Sequence, residues 1–176
     1  MCFARAAGSS VWLIVADVLG HGEAAYRTAQ AVLQVLDSGF EPYMEGVLQR
    51  VEEAVQDGRG CALFVGGLEE REVEYVLVGN IRAWLLGKNL KTMLFGQPGV
   101  VGPRRFVRRI NRVGLESPAM VMVCTDGIRQ AFYPKADFLW MPAGEVSSAL
   151  KQILLDYGIA EDDATVVMAR RRWESG

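Results

Sequence analysis

The sequence predicts an α+β fold of antiparallel sheets covered by helices. Strand-like segments cluster instead of alternating with helices: one strand, two successive helices, a block of strands, one helix and a last strand. That segregated order argues against alternating parallel βαβ units. Size and balance point the same way. The 176 residues are 51% apolar and 23% charged with a net charge of -2. They suit one compact domain, 1–176, able to fold without disulfides or a structural metal.

Residues 11–16 form a continuous apolar run ending at Asp17, the pattern of a buried strand. Ala25, Ala29, Val32, Leu33 and Leu36 then recur at helical spacing, with Gly39 as the stop. A second helix starts at Pro42 and carries the stripe Met44, Val47, Leu48, Val51 and Val55 before Gly58. Strands over 62–68 and 72–78 follow, the second alternating Val73, Tyr75 and Leu77 with Glu72 and Glu74. Only Gly79 and Asn80 separate it from a strand over 81–86, which predicts a tight turn or bulge between paired segments. Residues 88–113 read as a short strand, a Gly/Pro loop over 96–103 and another strand. The apolar run 119–124 leads into Thr125-Asp126-Gly127. Val146, Ala149, Leu150, Ile153, Leu154 and Tyr157 predict one helix face closed by Gly158, and 165–170 is the last strand.

Composition removes several function classes. Cys2, Cys61 and Cys124 are too few and too scattered for a disulfide framework, and they contain no C-x-x-C pair. Buried free thiols in a reducing cytoplasm are expected. His21 is the only histidine, which leaves little scope for a zinc site. No apolar run approaches the ~20 residues that span a bilayer, and no secretory signal opens the chain. Nucleic-acid binding would want a basic domain, and the balance here is acidic. Charge is nonetheless uneven. Arg104, Arg105, Arg108, Arg109 and Arg112 crowd one stretch, and Glu69, Glu70, Glu72 and Glu74 another. Both read as solvated faces, or the arginines as a patch that docks a partner or steers phosphate.

Three acidic sites share one context. Asp17 and Asp126 follow buried strands, and Asp162-Asp163 precedes another. In an antiparallel sheet the end of one strand lies beside the start of its neighbour. Carboxylates brought to one rim repel, and a divalent cation relieves that conflict with oxygen-only ligands. Taken singly, each site also reads as turn chemistry. Gly20-His21-Gly22-Glu23-Ala24-Ala25 matches the G-x-G-x-x-A dinucleotide fingerprint. That fingerprint requires a parallel strand after the helix, whereas a second helix follows here.

Together, Asp17-Val18-Leu19-Gly20-His21-Gly22, Gly79-Asn80, Thr125-Asp126-Gly127 and Asp162-Asp163-Ala164-Thr165 resemble the motifs of the metal-dependent protein phosphatases (PPM, type 2C). The resemblance is to their short bacterial branch, which serves partner-switching and stressosome proteins. It spans residues 11–170 and implies a four-layer αββα sandwich of two antiparallel sheets flanked by helices. It also implies two Mn²⁺ or Mg²⁺ ions and hydrolysis of phosphoserine or phosphothreonine by a metal-activated water. Residue by residue it makes Asp17 a bridging ligand, the Val18 carbonyl a further ligand, and Asp126 and Asp162 the remainder of the site. Asp163, Gly20, Gly22, Asn80 and Gly127 would surround it, with His21 as proton donor or loop residue. On the charge pattern alone, Arg104, Arg105, Arg108 and Arg109 are candidates to dock the substrate.

The family's usual Gly-Asp element and phosphate-binding arginine would fall about where Met1-Cys2-Phe3 stands, with Arg5 nearby. The implied partners are phosphorylated STAS-domain or stressosome proteins, acted on by a cytoplasmic monomer without nucleic acid or membrane. A pseudophosphatase that binds phosphoprotein without turnover is the main alternative, and a dinucleotide-binding oxidoreductase a remoter one.

Overall fold

A computed structural model describes residues 1–102, 107–116 and 118–171. The chain divides into two compact units, Met1–Asn80 with Gly96–Gly114, and Ile81–Phe95 with Leu115–Gly176.

The first unit holds a five-stranded sheet in the order β1-β2-β3-β4-β7, antiparallel throughout. Its strands are β1 (Cys2–Ala7), β2 (Ser10–Val18), β3 (Cys61–Leu68), β4 (Glu72–Val78) and β7 (Asn111–Gly114). Sequence patterning missed β1, because Cys2-Phe3-Ala4-Arg5-Ala6-Ala7 is alanine-rich and carries neither an apolar run nor β-branched residues. The two-residue turn Gly8-Ser9 makes it a hairpin with β2, pairing Ala7 with Ser10, and Gly8 supplies the positive φ of 59°. Helices α1 (Glu23–Ser38) and α2 (Met44–Val55) cover one face. The predicted α2 stripe, Met44 to Val55, is fully buried against Trp12, Ile14 and Ala16 of β2 and Cys61, Leu63 and Val65 of β3. Each such side chain contributes about 1.5–3 kcal/mol. Leu13, Val15 and Phe64, which alternate with these strand residues, are also fully buried, which explains why β2 and β3 read as unbroken apolar runs.

The second unit holds a four-stranded antiparallel sheet in the order β6-β5-β8-β9. Its strands are β5 (Arg82–Gly87), β6 (Lys91–Leu94), β8 (Ala119–Cys124) and β9 (Val166–Arg171). A 3-10 turn, Ala136–Trp140, and helix α3 (Ala143–Tyr157) pack on Trp84, Met120, Met122 and Cys124. Ile153 is the fully buried member of α3, with Leu150 and Tyr157 partly buried beside it. Leu154, expected on that face, is 37% exposed, because it lies about 100° round the helix from Ile153.

Among the described residues, two antiparallel sheets and three α-helices make this the α+β class expected of the PP2C-like sandwich. Two expectations change. Strands β4 and β5 are not partners across Gly79-Asn80, since β4 pairs with β3 and β7 while β5 pairs with β6 and β8. The turn carries the chain from one sheet to the other. The dinucleotide reading also fails, because β3 runs antiparallel to β2 and no parallel βαβ unit forms.

Candidate functional site

Asp17 is the penultimate residue of β2, half-buried, and lies opposite Ala62 of β3. Val18 closes the strand opposite Cys61, and the next amide, Leu19 N–H, donates to the Gly60 carbonyl at 2.8 Å. The chain then turns through Gly20 and Gly22, with φ of 83° and 79°, values that glycine alone adopts without strain. His21 between them is exposed. Helix α1 starts one residue later, its first bond running from Tyr26 N–H to the Gly22 carbonyl at 3.0 Å.

In the second unit the end of β8 and the approach to β9 are stitched together. Thr125 N–H donates to the Thr165 carbonyl at 3.1 Å, and Thr165 N–H returns a bond to Thr125 Oγ1 at 2.9 Å. The same hydroxyl donates to the Asp163 carbonyl at 3.4 Å, and Ile159 N–H donates to the Gly127 carbonyl at 2.9 Å. Gly127 has to be glycine for a packing reason: a Cβ there would stand 2.4 Å from the Asp163 carbonyl oxygen. Asp162 Oδ1 caps the Asp163 amide at 2.9 Å, and both Asp126 and Asp162 are exposed. The antiparallel neighbours β8 and β9 thus bring the Asp126 turn and the Asp162-Asp163 segment to one end of their sheet.

Buried thiols sense both strand ends. Burial pushes the Cys61 thiol up to about 12, with the Asp17 charge adding to the shift. Burial likewise pushes Cys124 up to about 11, opposed by Arg82 and reinforced by Asp126. These are neutral, inert groups, as the sequence suggested, while Cys2 is exposed.

The candidate donors are carboxylate and carbonyl oxygens, the chemistry that suits Mg²⁺ or Mn²⁺. Among the described residues, however, no three His, Cys, Asp or Glu side chains form a group able to hold a metal ion.

Arg104 and Arg105 lie outside the described residues. Arg108 is held by Glu52, its Nε 3.1 Å from Oε1, and Arg112 by Glu74 at 2.6 Å, whereas Arg109 is exposed. Arg5 is committed to Asp37 at 3.0 Å and lies over the Phe3 and Phe40 rings. Asn80 follows Gly79, whose φ is 88° and whose amide donates to the Gln97 carbonyl at 3.0 Å. Sequence reasoning missed Arg82. Its guanidinium gathers the carbonyls of Ile128, Arg129, Gln130 and Phe132, fixing the loop that follows Asp126. One strand arginine inside an apolar run was the available signal.

Two antiparallel sheets, each with acidic residues at strand ends, define the PP2C-like class. The chain belongs to the Stage II sporulation protein E (SpoIIE) family, whose profile matches residues 7–172. It is similar in fold to a chain described with the bacterial stressosome, a modular system adapted to control secondary messenger signaling. That likeness has a TM-score of 0.82 at 21% identity and covers 97% of this chain and 90% of the other. RsbX in complex with magnesium matches at TM-score 0.78 and 20% identity, covering 97% of this chain and 85% of RsbX. The catalytic domain of the serine/threonine protein phosphatase PstP, in complex with 2 manganese ions, matches at TM-score 0.65 and 15% identity, covering 95% and 89%. At these identities the likeness is one of fold. No curated protein matches the chain. Among the described residues no helix is long and apolar enough to cross a membrane.

Proposed function

We propose that this chain is a metal-dependent serine/threonine protein phosphatase acting on phosphorylated partner-switching or stressosome proteins of the STAS-domain class. The observation that carries the reading is the tying of Thr125-Asp126-Gly127 to the Asp162–Thr165 segment by three hydrogen bonds. Those bonds fix two acidic turns at one sheet end in a chain of the SpoIIE family. Fold likeness to RsbX and to the stressosome-associated chain supports the substrate class. Asp17, the Val18 carbonyl, Asp126 and Asp162 would hold two divalent cations, Mn²⁺ or Mg²⁺. Bound ions of this kind supply Lewis acidity and an activated water for phosphoryl transfer. The chain's own part is orientation. Arg82 and Thr125 immobilise the Asp126 turn, Gly127 lets the Asp163 backbone approach, and Gly20 and Gly22 turn the chain out of β2. The arginines from Arg104 to Arg109 would dock the protein substrate.

The test is hydrolysis of an aryl phosphate with Mn²⁺, with Mg²⁺ and with EDTA, beside Asp17→Asn, Asp126→Asn and Asp162→Asn. Metal-dependent turnover that each variant lowers at least a hundredfold supports the reading. Turnover in EDTA, or undiminished turnover in Asp17→Asn, overturns it.

A further inference from the structure

Arg59 lies in the short segment between α2 and β3, and its guanidinium is laid over the turn that follows Asp17. A Cβ at Gly20 would stand 2.3 Å from Arg59 Nη1 and 3.2 Å from Cζ. Glycine at position 20 therefore serves two ends: its φ of 83° makes the turn, and its missing side chain gives the guanidinium a place to lie.

An exposed arginine side chain is ordinarily mobile; the backbone that carries this one is tethered twice. Arg59 N–H donates to Thr28 Oγ1 at 3.3 Å, and Thr28 is 5% exposed and itself bonded to the Ala24 carbonyl. On the other side Gly60 accepts the Leu19 amide at 2.8 Å, joining this segment to the turn itself. Among the described residues no carboxylate lies within ion-pair distance of Arg59, although Asp57 lines the same cavity. That cavity, about 470 Å³, is bordered by Arg27, Thr28, Asp57 and Arg59. Arg27 is partly answered by Glu23 at 3.4 Å. A guanidinium without an anion, lying over the turn and lining one cavity with a second arginine, carries the fork of donors that binds oxyanions.

We propose that Arg59 forms an oxyanion-binding subsite for the substrate, bordering the Asp17–Gly22 turn. The inference rests on the phosphatase reading for its ligand, a phosphorylated protein segment. Such a segment carries two oxyanions, the phosphoryl group and any flanking carboxylate, and the same guanidinium chemistry serves either.

The experiment compares wild type, Arg59→Ala and Arg59→Lys, with Arg71→Ala from the β3–β4 turn as the control for net charge. Three substrates are used with Mn²⁺: an aryl phosphate, a phosphoserine peptide with neutral flanks, and the same peptide with acidic flanks. Loss of one charge-assisted bond should raise KM about tenfold in Arg59→Ala with kcat little changed, and by less in Arg59→Lys. A rise for all three substrates assigns the subsite to the phosphoryl group. A rise confined to the acidic peptide assigns it to a flanking carboxylate. Unchanged KM for all three overturns the proposal, as does an equal effect of Arg71→Ala. If wild type hydrolyses none of them, the phosphatase reading fails, and calorimetric binding of the acidic phosphopeptide decides this inference separately. Affinity about tenfold weaker in Arg59→Ala sustains it, and equal affinity overturns it.

Discussion

Replacing Arg82 tests how the Asp126 loop is held. In Arg82→Met the chain loses a guanidinium bonded to Arg129 O at 3.1 Å, to Ile128 O, and at 3.4 Å to Gln130 O and Phe132 O. It also loses a cation–π contact 5.4 Å from the Trp84 ring. A hydrogen bond from a charged donor is worth about 1.5–3 kcal/mol when well formed. Only the two shorter bonds qualify, and the Arg129 bond is solvent-exposed, so about 3 kcal/mol is reasonable for the pair. The ring contact adds about 0.5–1 kcal/mol, and methionine recovers part of the packing. A net loss of about 3 kcal/mol should lower Tm by about 6–12 °C for a chain of this length. Arg82→Lys keeps the charge but cannot span the carbonyls, so at least half the loss should persist. Urea unfolding followed by tryptophan fluorescence measures both. A loss below ~1 kcal/mol for Met, or wild-type stability for Lys, would refute the reasoning that one side chain clamps this loop.

Other outcomes follow from single contacts. Gly127→Ala forces a Cβ to within 2.4 Å of the Asp163 carbonyl and should cost at least about 2 kcal/mol by thermal melt. Gly144→Ala, where nothing lies within 4 Å in the first turn of α3, should raise stability by up to about 1 kcal/mol. Thr28→Val removes the acceptor that tethers the Arg59 amide, so its KM should move in the direction of Arg59→Ala. In EDTA-treated native protein only Cys2 should react rapidly with a thiol reagent at pH 8, and all three cysteines after denaturation, because Cys61 and Cys124 are fully buried. Both thiols bind their protons more tightly folded than unfolded. Their contribution to stability is complete below the ordinary value of 9.0 and is lost as pH rises toward 11 and 12. A pH series of urea midpoints checks the sign.

Strand and helix positions were legible wherever burial was one-sided or complete. The α2 stripe and the runs around Leu13, Phe64 and Val121 announced themselves because those residues face apolar surroundings at every turn of the local period. The wet strand β4 was legible from alternation, and its glutamates do stand at the sheet surface. Pairing was less legible, since Gly79-Asn80 looks like a hairpin turn and is a crossover between sheets. Local residues fix the φ of a turn, but not which edge the next strand joins. The acidic turns were visible as a group of motifs, whereas their support was not. Arg82 and Arg59 act through carbonyls and a glycine supplied by other segments, and no spacing in the chain encodes those meetings.

Charge shows the same limit from the other side. The arginines from Arg104 to Arg112 look like a basic patch when counted along the chain, and the glutamates from Glu69 to Glu74 like an acidic one. Strand pairing sets Glu74 directly opposite Arg112, and the two side chains close to 2.6 Å. Glu52 of α2 takes Arg108 in two hydrogen bonds. Arg108 and Arg112 are therefore answered within the first unit, and the field of such exposed pairs is screened within about a Debye length. Exposed ion pairs of this kind stabilise the fold by at most about 1 kcal/mol each, and they occupy Arg108 and Arg112 with carboxylates of their own chain. Arg59, unanswered among the described residues and lying over the turn that follows Asp17, is suited to select an anion at short range.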